Sequence, residues 1–231
     1  MRRTLVLFDI DGTILLTAGA GRRAITGALG EAVGDHTAFA RIRFDGKTDP
    51  QIVAELLSAA GHAPPHDEQH VRALCERYVS LLERELATAL GTRLMPGVPE
   101  LLDRLEITPG IVLGLLTGNL ERGAALKLRS GGIDPARFRV GAYGSDSAHR
   151  PDLPAIAAER AAPIFGRVPA GSEVVIIGDT PADIACGAGI GARAVAVATG
   201  AYGVAELAAC GAHAVFEDLA DTERVLAAIL D

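Results

Sequence analysis

Phe8-Asp9-Ile10-Asp11-Gly12-Thr13 closes an apolar run that begins at Thr4. Two later runs end in the same manner, Leu115-Leu116-Thr117-Gly118-Asn119 and Ile176-Ile177-Gly178-Asp179-Thr180-Pro181. Each is a short stretch of Val, Ile, Leu or Phe that stops at small, hydroxyl or carboxylate residues. Strands that are apolar without alternation are those covered on both faces, the usual condition of a parallel sheet. The polar residues then stand at strand C-termini, the edge where open α/β sheets bind ligands.

Working outward from these runs, strands are expected at 4–8, 111–116, 139–142, 174–177, 194–198 and 214–216. Helices are expected at 99–105, 121–131, 153–165, 181–189, 204–209 and 221–230. This alternation predicts an α/β fold, a Rossmann-like parallel sheet flanked by helices. The stretch 17–93 breaks the rhythm: it has no apolar β run and reads as helices near 22–33, 50–60 and 67–90. We read it as a small all-helical domain, 17–93, inserted into a core domain of 1–16 and 94–231. Its exit, Gly91-Thr92-Arg93-Leu94-Met95-Pro96-Gly97, carries the Gly/Pro punctuation of a boundary loop.

Composition narrows the function. The chain has 231 residues, 49% apolar and 22% charged, which describes a globular protein and excludes a disordered one. With 22 basic against 29 acidic residues the net charge is −7, and nucleic acid and anionic membranes both need clustered cations. Lys47 and Lys127 are the only lysines. Arg2-Arg3 followed by Leu5-Val6-Leu7-Phe8 imitates a signal peptide, but Asp9 and Asp11 cut the apolar stretch well short of the roughly 7–15 residues needed. With no ~20-residue apolar span either, a cytoplasmic location is expected.

Other candidate motifs have plainer readings. Cys75, Cys186 and Cys210 lack CxxC spacing and are read as reduced, small core residues. His66 and His70 share i, i+4 spacing but no third ligand, so they are read as exposed helix residues. The Gly19-Ala20-Gly21 and Gly187-Ala188-Gly189-Ile190-Gly191 clusters do not fit a dinucleotide fingerprint and are read as hinge and turn glycines.

If β-strands 4–8, 111–116 and 174–177 are neighbours, Asp9, Asp11 and Asp179 share one crevice. Like charges 4 Å apart repel by about 4 kcal/mol at an effective dielectric of about 20. A hard divalent cation with oxygen ligands offsets this, and Mg2+ prefers carboxylates, water and phosphate oxygens. Thr117 and its neighbouring amides, at a strand-to-helix turn, suit the outer phosphate oxygens.

With Asp9-Ile10-Asp11-Gly12-Thr13, Thr117 and Gly178-Asp179-Thr180-Pro181-Ala182-Asp183 in this order, the chain resembles the haloacid dehalogenase superfamily of aspartate-nucleophile phosphohydrolases, in its phosphatase-like branch with a helical cap. The resemblance spans nearly the whole chain. It implies that Asp9 attacks phosphorus to form an aspartyl phosphate, while Asp11 protonates the leaving oxygen and then activates water. It implies Mg2+ on Asp9, the Asp11 main-chain carbonyl and Asp179, with Asp183 in or just behind that shell, and phosphate on Thr117 and Gly118. The superfamily's usual lysine before the Gly-Asp strand is missing. Arg150, in Ser147-Ala148-His149-Arg150-Pro151-Asp152, occupies the expected region, with Lys127 the weaker candidate because it falls in a predicted helix. Asp11 favours phosphoryl over carbon-halogen chemistry.

The insertion matches such a cap. Lys47, in the loop Phe44-Asp45-Gly46-Lys47-Thr48-Asp49-Pro50, is read as a substrate-specificity residue. Structural alternatives exist for Asp183, Asn119 and Asp49: Thr180, Pro181 and Asp183 fit a capping box, and Asn119 and Asp49 fit helix N-caps. The expected activity is a Mg2+-dependent phosphatase acting on a small phosphorylated metabolite. The alternatives are a sugar phosphomutase on the same scaffold, disfavoured by Asp49 where that branch usually has a basic residue, and a non-catalytic phosphoacceptor module.

Overall fold

In the computed structural model, which describes residues 3–34, 37–88 and 91–231, the strands are β1 (Thr4–Phe8), β2 (Leu15–Leu16), β3 (Arg93–Leu94), β4 (Ile111–Thr117), β5 (Val140–Tyr143), β6 (Val174–Gly178), β7 (Arg193–Val197) and β8 (Ala214–Phe216). Six of them make one parallel sheet in the order β5-β4-β1-β6-β7-β8. β1 lies between β4 and β6, with Thr4 opposite Ile111 and Leu5 opposite Val174. Each strand expected from the sequence is present.

The helices are α1 (Ala20–Val33), α2 (Asp49–Ala59), α3 (Glu68–Thr88), α4 (Val98–Glu106), α5 (Glu121–Ser130), α6 (Leu153–Phe165), α7 (Pro181–Cys186), α8 (Val204–Ala209) and α9 (Thr222–Leu230). Successive side chains of a strand point to opposite faces. Val6 and Phe8 of β1 accordingly pack into a core with Leu101 of α4, Leu128 of α5 and Ile229 of α9. Leu5 and Leu7 join a second core with Leu153 and Ala157 of α6 and Cys186 of α7. Burial on both faces is why these strands read as unbroken apolar runs.

Helices α1 to α3 have a core of their own. On α3, Leu74, Cys75, Tyr78, Val79 and Leu82 recur at helical spacing as one buried stripe, and they pack with Ile25 and Leu29 of α1 and Ile52 and Leu56 of α2. The chain enters and leaves this helical part through the short antiparallel pair β2 and β3, in which Leu15 faces Leu94 and Leu16 faces Arg93. Two-residue strands have no period to detect, and the sequence reading lacks them.

Several expectations are corrected. The helix expected over 181–189 stops at Cys186 and tightens into a 3₁₀ turn over Gly187–Ile190. Gly187 lies against the sheet so closely that a Cβ there would meet the Ile176 Cδ1 at 2.6 Å. His66 precedes α3 rather than riding on it, and meets the Ser58 Oγ at 2.9 Å. Cys75 and Cys186 are buried as expected, whereas Cys210 is exposed just past α8. Arg2, Ala89 and Leu90, on which the leader-like start and the expected end of the third insertion helix fall, lie outside the described residues. No helix among the described residues is long and apolar enough to cross a membrane.

Candidate functional site

Because β1 is flanked by β4 and β6, the three polar strand ends meet. Asp9 follows β1, its N–H donating to the Ile177 carbonyl at 2.9 Å; Thr117 ends β4 and Asp179 follows β6. Asp9, Asp179 and Asp183 are all buried, and each offers an oxygen within 4.8 Å of the others. A cavity of about 530 Å³ opens on this edge, and Asp9, Asp11, Lys47, Thr117, Gly118 and Arg150 are all on its wall.

Two glycines make room for Asp179. A Cβ at Gly200 would stand 1.7 Å from its Oδ2, and one at Gly12, where φ is +87°, would stand 2.4 Å from the same atom. Thr13 Oγ1 donates to Asp179 Oδ1 at 3.1 Å, and Thr199 Oγ1 donates to the Gly12 carbonyl. Neither Thr199 nor Gly200 is among the site residues expected from the sequence. They follow β7, so the strand-end rule extended to a fourth strand finds them.

Arg150 sits at the centre. Buried, it sets Nη2 3.2 Å from Asp9 Oδ1 and pairs through the same nitrogen with Asp183 Oδ1. The other oxygen of Asp183 belongs to the capping box of α7, accepting from the Thr180 N–H at 3.0 Å and Thr180 Oγ1 at 2.6 Å. Both oxygens of Asp183 therefore have protein donors. Burial, and then repulsion from Asp183, push Asp9 up to about 7; the same two causes push Asp179 up to about 9. Such a cluster resists holding its full negative charge unaided. Its donor set is all hard oxygen, the chemistry that fits Mg2+.

Asp11 lies at the cavity wall with its side chain 41% exposed. Its Oδ2 accepts from Lys127 Nζ at 2.6 Å and from Asn119 Nδ2 at 2.8 Å. Lys127 is in α5, as expected, yet it is buried and reaches into the site. Burial works against its charge, but Asp11 and Asp49 outweigh that and raise its pKa. Asn119 is not an N-cap; Leu120 holds that position before α5. Its amide instead joins Asp11, Lys127 and Thr117 Oγ1.

Asp49 is not an N-cap either. Thr48 caps α2, and Asp49, its first residue, reaches across to accept from the Leu120 N–H at 2.8 Å while its own N–H donates to the Gly118 carbonyl at 2.7 Å. Thr48 Oγ1 adds a bond to the Ala148 carbonyl at 2.7 Å. A Cβ at Gly118 would stand 2.1 Å from the Lys47 carbonyl. The loop before α2 is thus held directly on the sheet edge. Lys47 lines the cavity with its ammonium paired to Glu55.

The family model of the haloacid dehalogenase-like hydrolases matches residues 6–188. No curated protein matches the chain. Among solved structures, a hydrolase from Pseudomonas syringae has a TM-score of 0.72 at 24% identity, covering 97% of this chain and 98% of that one. CbbY from Rhodobacter sphaeroides, in complex with phosphate, has a TM-score of 0.69 at 22% identity, covering 95% and 96%. A predicted phosphoglycolate phosphatase from Haemophilus somnus has a TM-score of 0.70 at 21% identity, covering 98% and 99%. At these identities the likeness is one of fold.

Proposed function

Because the chain belongs to the haloacid dehalogenase-like hydrolases, we propose that it is a Mg2+-dependent phosphatase that hydrolyses a small phosphate ester through an aspartyl phosphate on Asp9. The observation that carries this reading is the convergence of Asp9, Asp179 and Asp183 at the end of the central strand, with Arg150 on the nucleophile and Asp11 two residues on.

The Asp9 carboxylate attacks phosphorus and the ester P–O bond breaks. The departing oxygen takes a proton from Asp11. In the second half, Asp11 accepts a proton from water, the water oxygen bonds to phosphorus, and inorganic phosphate leaves as Asp9 is restored. A carboxylate nucleophile thus divides one difficult transfer into two steps, and one acid serves both. Asp9, Asp179 and the Asp11 main-chain carbonyl would hold Mg2+, which supplies charge neutralisation for the phosphoryl oxygens, with Asp183 behind them. Arg150, Thr117 and the Gly118 amide would take the remaining phosphate oxygens. Arg150 keeps the charge of the family's usual lysine on a planar, forked group.

Residues 17–93 act as the cap domain over a core of 1–16 and 94–231. The cap excludes water and selects substrate, with Lys47 as its specificity residue. The contacts of Thr48 and Asp49 with the sheet edge support this. A generic aryl phosphate, assayed with and without Mg2+, tests the proposal: Asp9→Asn is expected to abolish phosphate release, and equal activity in wild type and variant overturns it. Recovery of an isomer instead of free phosphate from a sugar phosphate would mark a mutase.

A further inference from the structure

Lys127 is a buried cation that the two-step reaction leaves without a task. Its ammonium donates to Asp11 Oδ2 and to Asn119 Oδ1, both at 2.6 Å, and the Asn119 amide donates to that same Asp11 oxygen at 2.8 Å. Lysine can only donate, so the Asn119 carbonyl must face it and the amide NH2 must face Asp11. The orientation of the amide is therefore settled by its neighbours. Both donors fall on Oδ2. Oδ1 has no protein partner among the described residues.

Asp11 needs such help. Its carboxyl is part-exposed at a strand end, and a half-turn of its terminal torsion would exchange its oxygens. Lys127 comes from the regular helix α5, with Leu128 beside it in the core under the sheet. Gly21 of α1 lies over it, a Cβ there standing in ordinary contact, 3.4 Å from Nζ.

We propose that Lys127, together with Asn119, is a positioning residue that pins the Asp11 carboxyl through Oδ2 and so reserves Oδ1 for proton exchange with the ester oxygen and the water. With two donors on Oδ2, the proton of the neutral acid resides on Oδ1. It passes to the leaving oxygen as the P–O bond breaks, and a proton from water refills the site. This rests on the reading of Asp11 as acid and base, and it divides the work of cations: Arg150 serves the nucleophile, Lys127 the acid.

The test compares kcat/KM for glycerol phosphate, whose alkoxide must be protonated, with that for p-nitrophenyl phosphate, whose leaving group needs little help. Both assays use one enzyme preparation with Mg2+, so the folded fraction cancels in the ratio. Lys127→Met is expected to lower the alkyl rate about 100-fold and the aryl rate by less than about tenfold, in line with what positioned acids contribute, with little change in KM. Asn119→Ala should move the ratio the same way, and Lys127→Arg, which restores a donor, should return it toward wild type. Equal losses on both substrates in Lys127→Met, or no loss, overturn the inference, as does a Lys127→Arg ratio no better than that of Lys127→Met. An unchanged ratio in Asp11→Ala overturns the role of Asp11 itself and the inference with it. A shifted ratio in Asp11→Ala beside an unchanged one in Lys127→Met overturns only the inference.

Discussion

Nη2 of Arg150 lies 3.2 Å from Oδ1 of Asp9, with both side chains more than nine-tenths buried. The same nitrogen pairs with Asp183, so one buried guanidinium balances two buried carboxylates. Removing one partner of a buried pair strands the other charge, at a cost of about 3–5 kcal/mol. Arg150→Ala is expected to destabilise the metal-free protein by about 3 kcal/mol in a denaturant titration and to abolish phosphatase activity. Arg150→Lys should restore more of the stability than of the activity, because a point charge does not reproduce the fork. An Arg150→Ala protein as stable as wild type would contradict the pairing.

Asp179 occupies space that two glycines leave open, and the Gly200 position is the tighter, since a β carbon there would come within 1.7 Å of Oδ2. Gly200→Ala must move the carboxylate. Disturbing what orients a metal ligand typically costs about 10–100-fold in metal affinity. The Mg2+ concentration for half-maximal activity should rise by at least about tenfold, with an unchanged circular dichroism spectrum. An unaltered Mg2+ titration would show that Asp179 does not set metal affinity.

Stability should depend on pH in an unusual sense. Burial and the neighbouring Asp183 hold Asp9 up to about 7 and Asp179 up to about 9, against about 3.9 for an aspartate in an unfolded chain. Between those values the folded state binds more protons than the unfolded one, so stability falls as pH rises. The chelated protein should therefore melt at progressively lower temperature from about pH 4 to about pH 9. Mg2+ should flatten this dependence by stabilising the ionised cluster. Glu31, lowered by its hydrogen bond from Arg77, and Asp152, lowered by its bond with His149, act in the opposite sense but at more acidic pH. Melts with chelator at pH 5 and pH 9 decide the matter, and a more stable protein at pH 9 would refute it.

Lys47 stands on the cavity wall with its charge shared with Glu55. Lys47→Ala is expected to leave the Mg2+-dependent turnover of p-nitrophenyl phosphate within about threefold, since that substrate carries no remote group for Lys47 to hold and so has no such binding energy to lose. It should reorder a panel of phosphorylated metabolites by KM. An identical ranking in both proteins would remove Lys47 from specificity.

The sheet was legible because burial on both faces leaves a plain sign, unbroken Val, Ile and Leu in runs such as 4–8 and 174–177. The acids that end those runs were legible for the same reason. Asn119 and Asp49 were not, since each has the composition of a helix cap and acquires its task only through contacts made across the site, with Asp11 and Lys127 in one case and Leu120 in the other. Lys127 shows the limit most clearly. Membership of a helix argued against it, yet a helix that runs under the site can send a long side chain back to the strand end. For Asp183 the capping box with Thr180 was legible and is present, whereas its pairing with Arg150, made across the site, was not.

The central place of β1 has a consequence in time. Its partners enter the chain far later, Thr4 awaiting Ile111 and Leu5 awaiting Val174. At synthesis rates of about 5–20 residues per second, the strand carrying Asp9 exists for on the order of ten seconds before the strand carrying Asp179 can be added. Pairings so distant in sequence also form slowly. During that interval residues 4–8 are an apolar segment without either of its pairing partners, the kind of exposed stretch that makes an incomplete chain prone to aggregate.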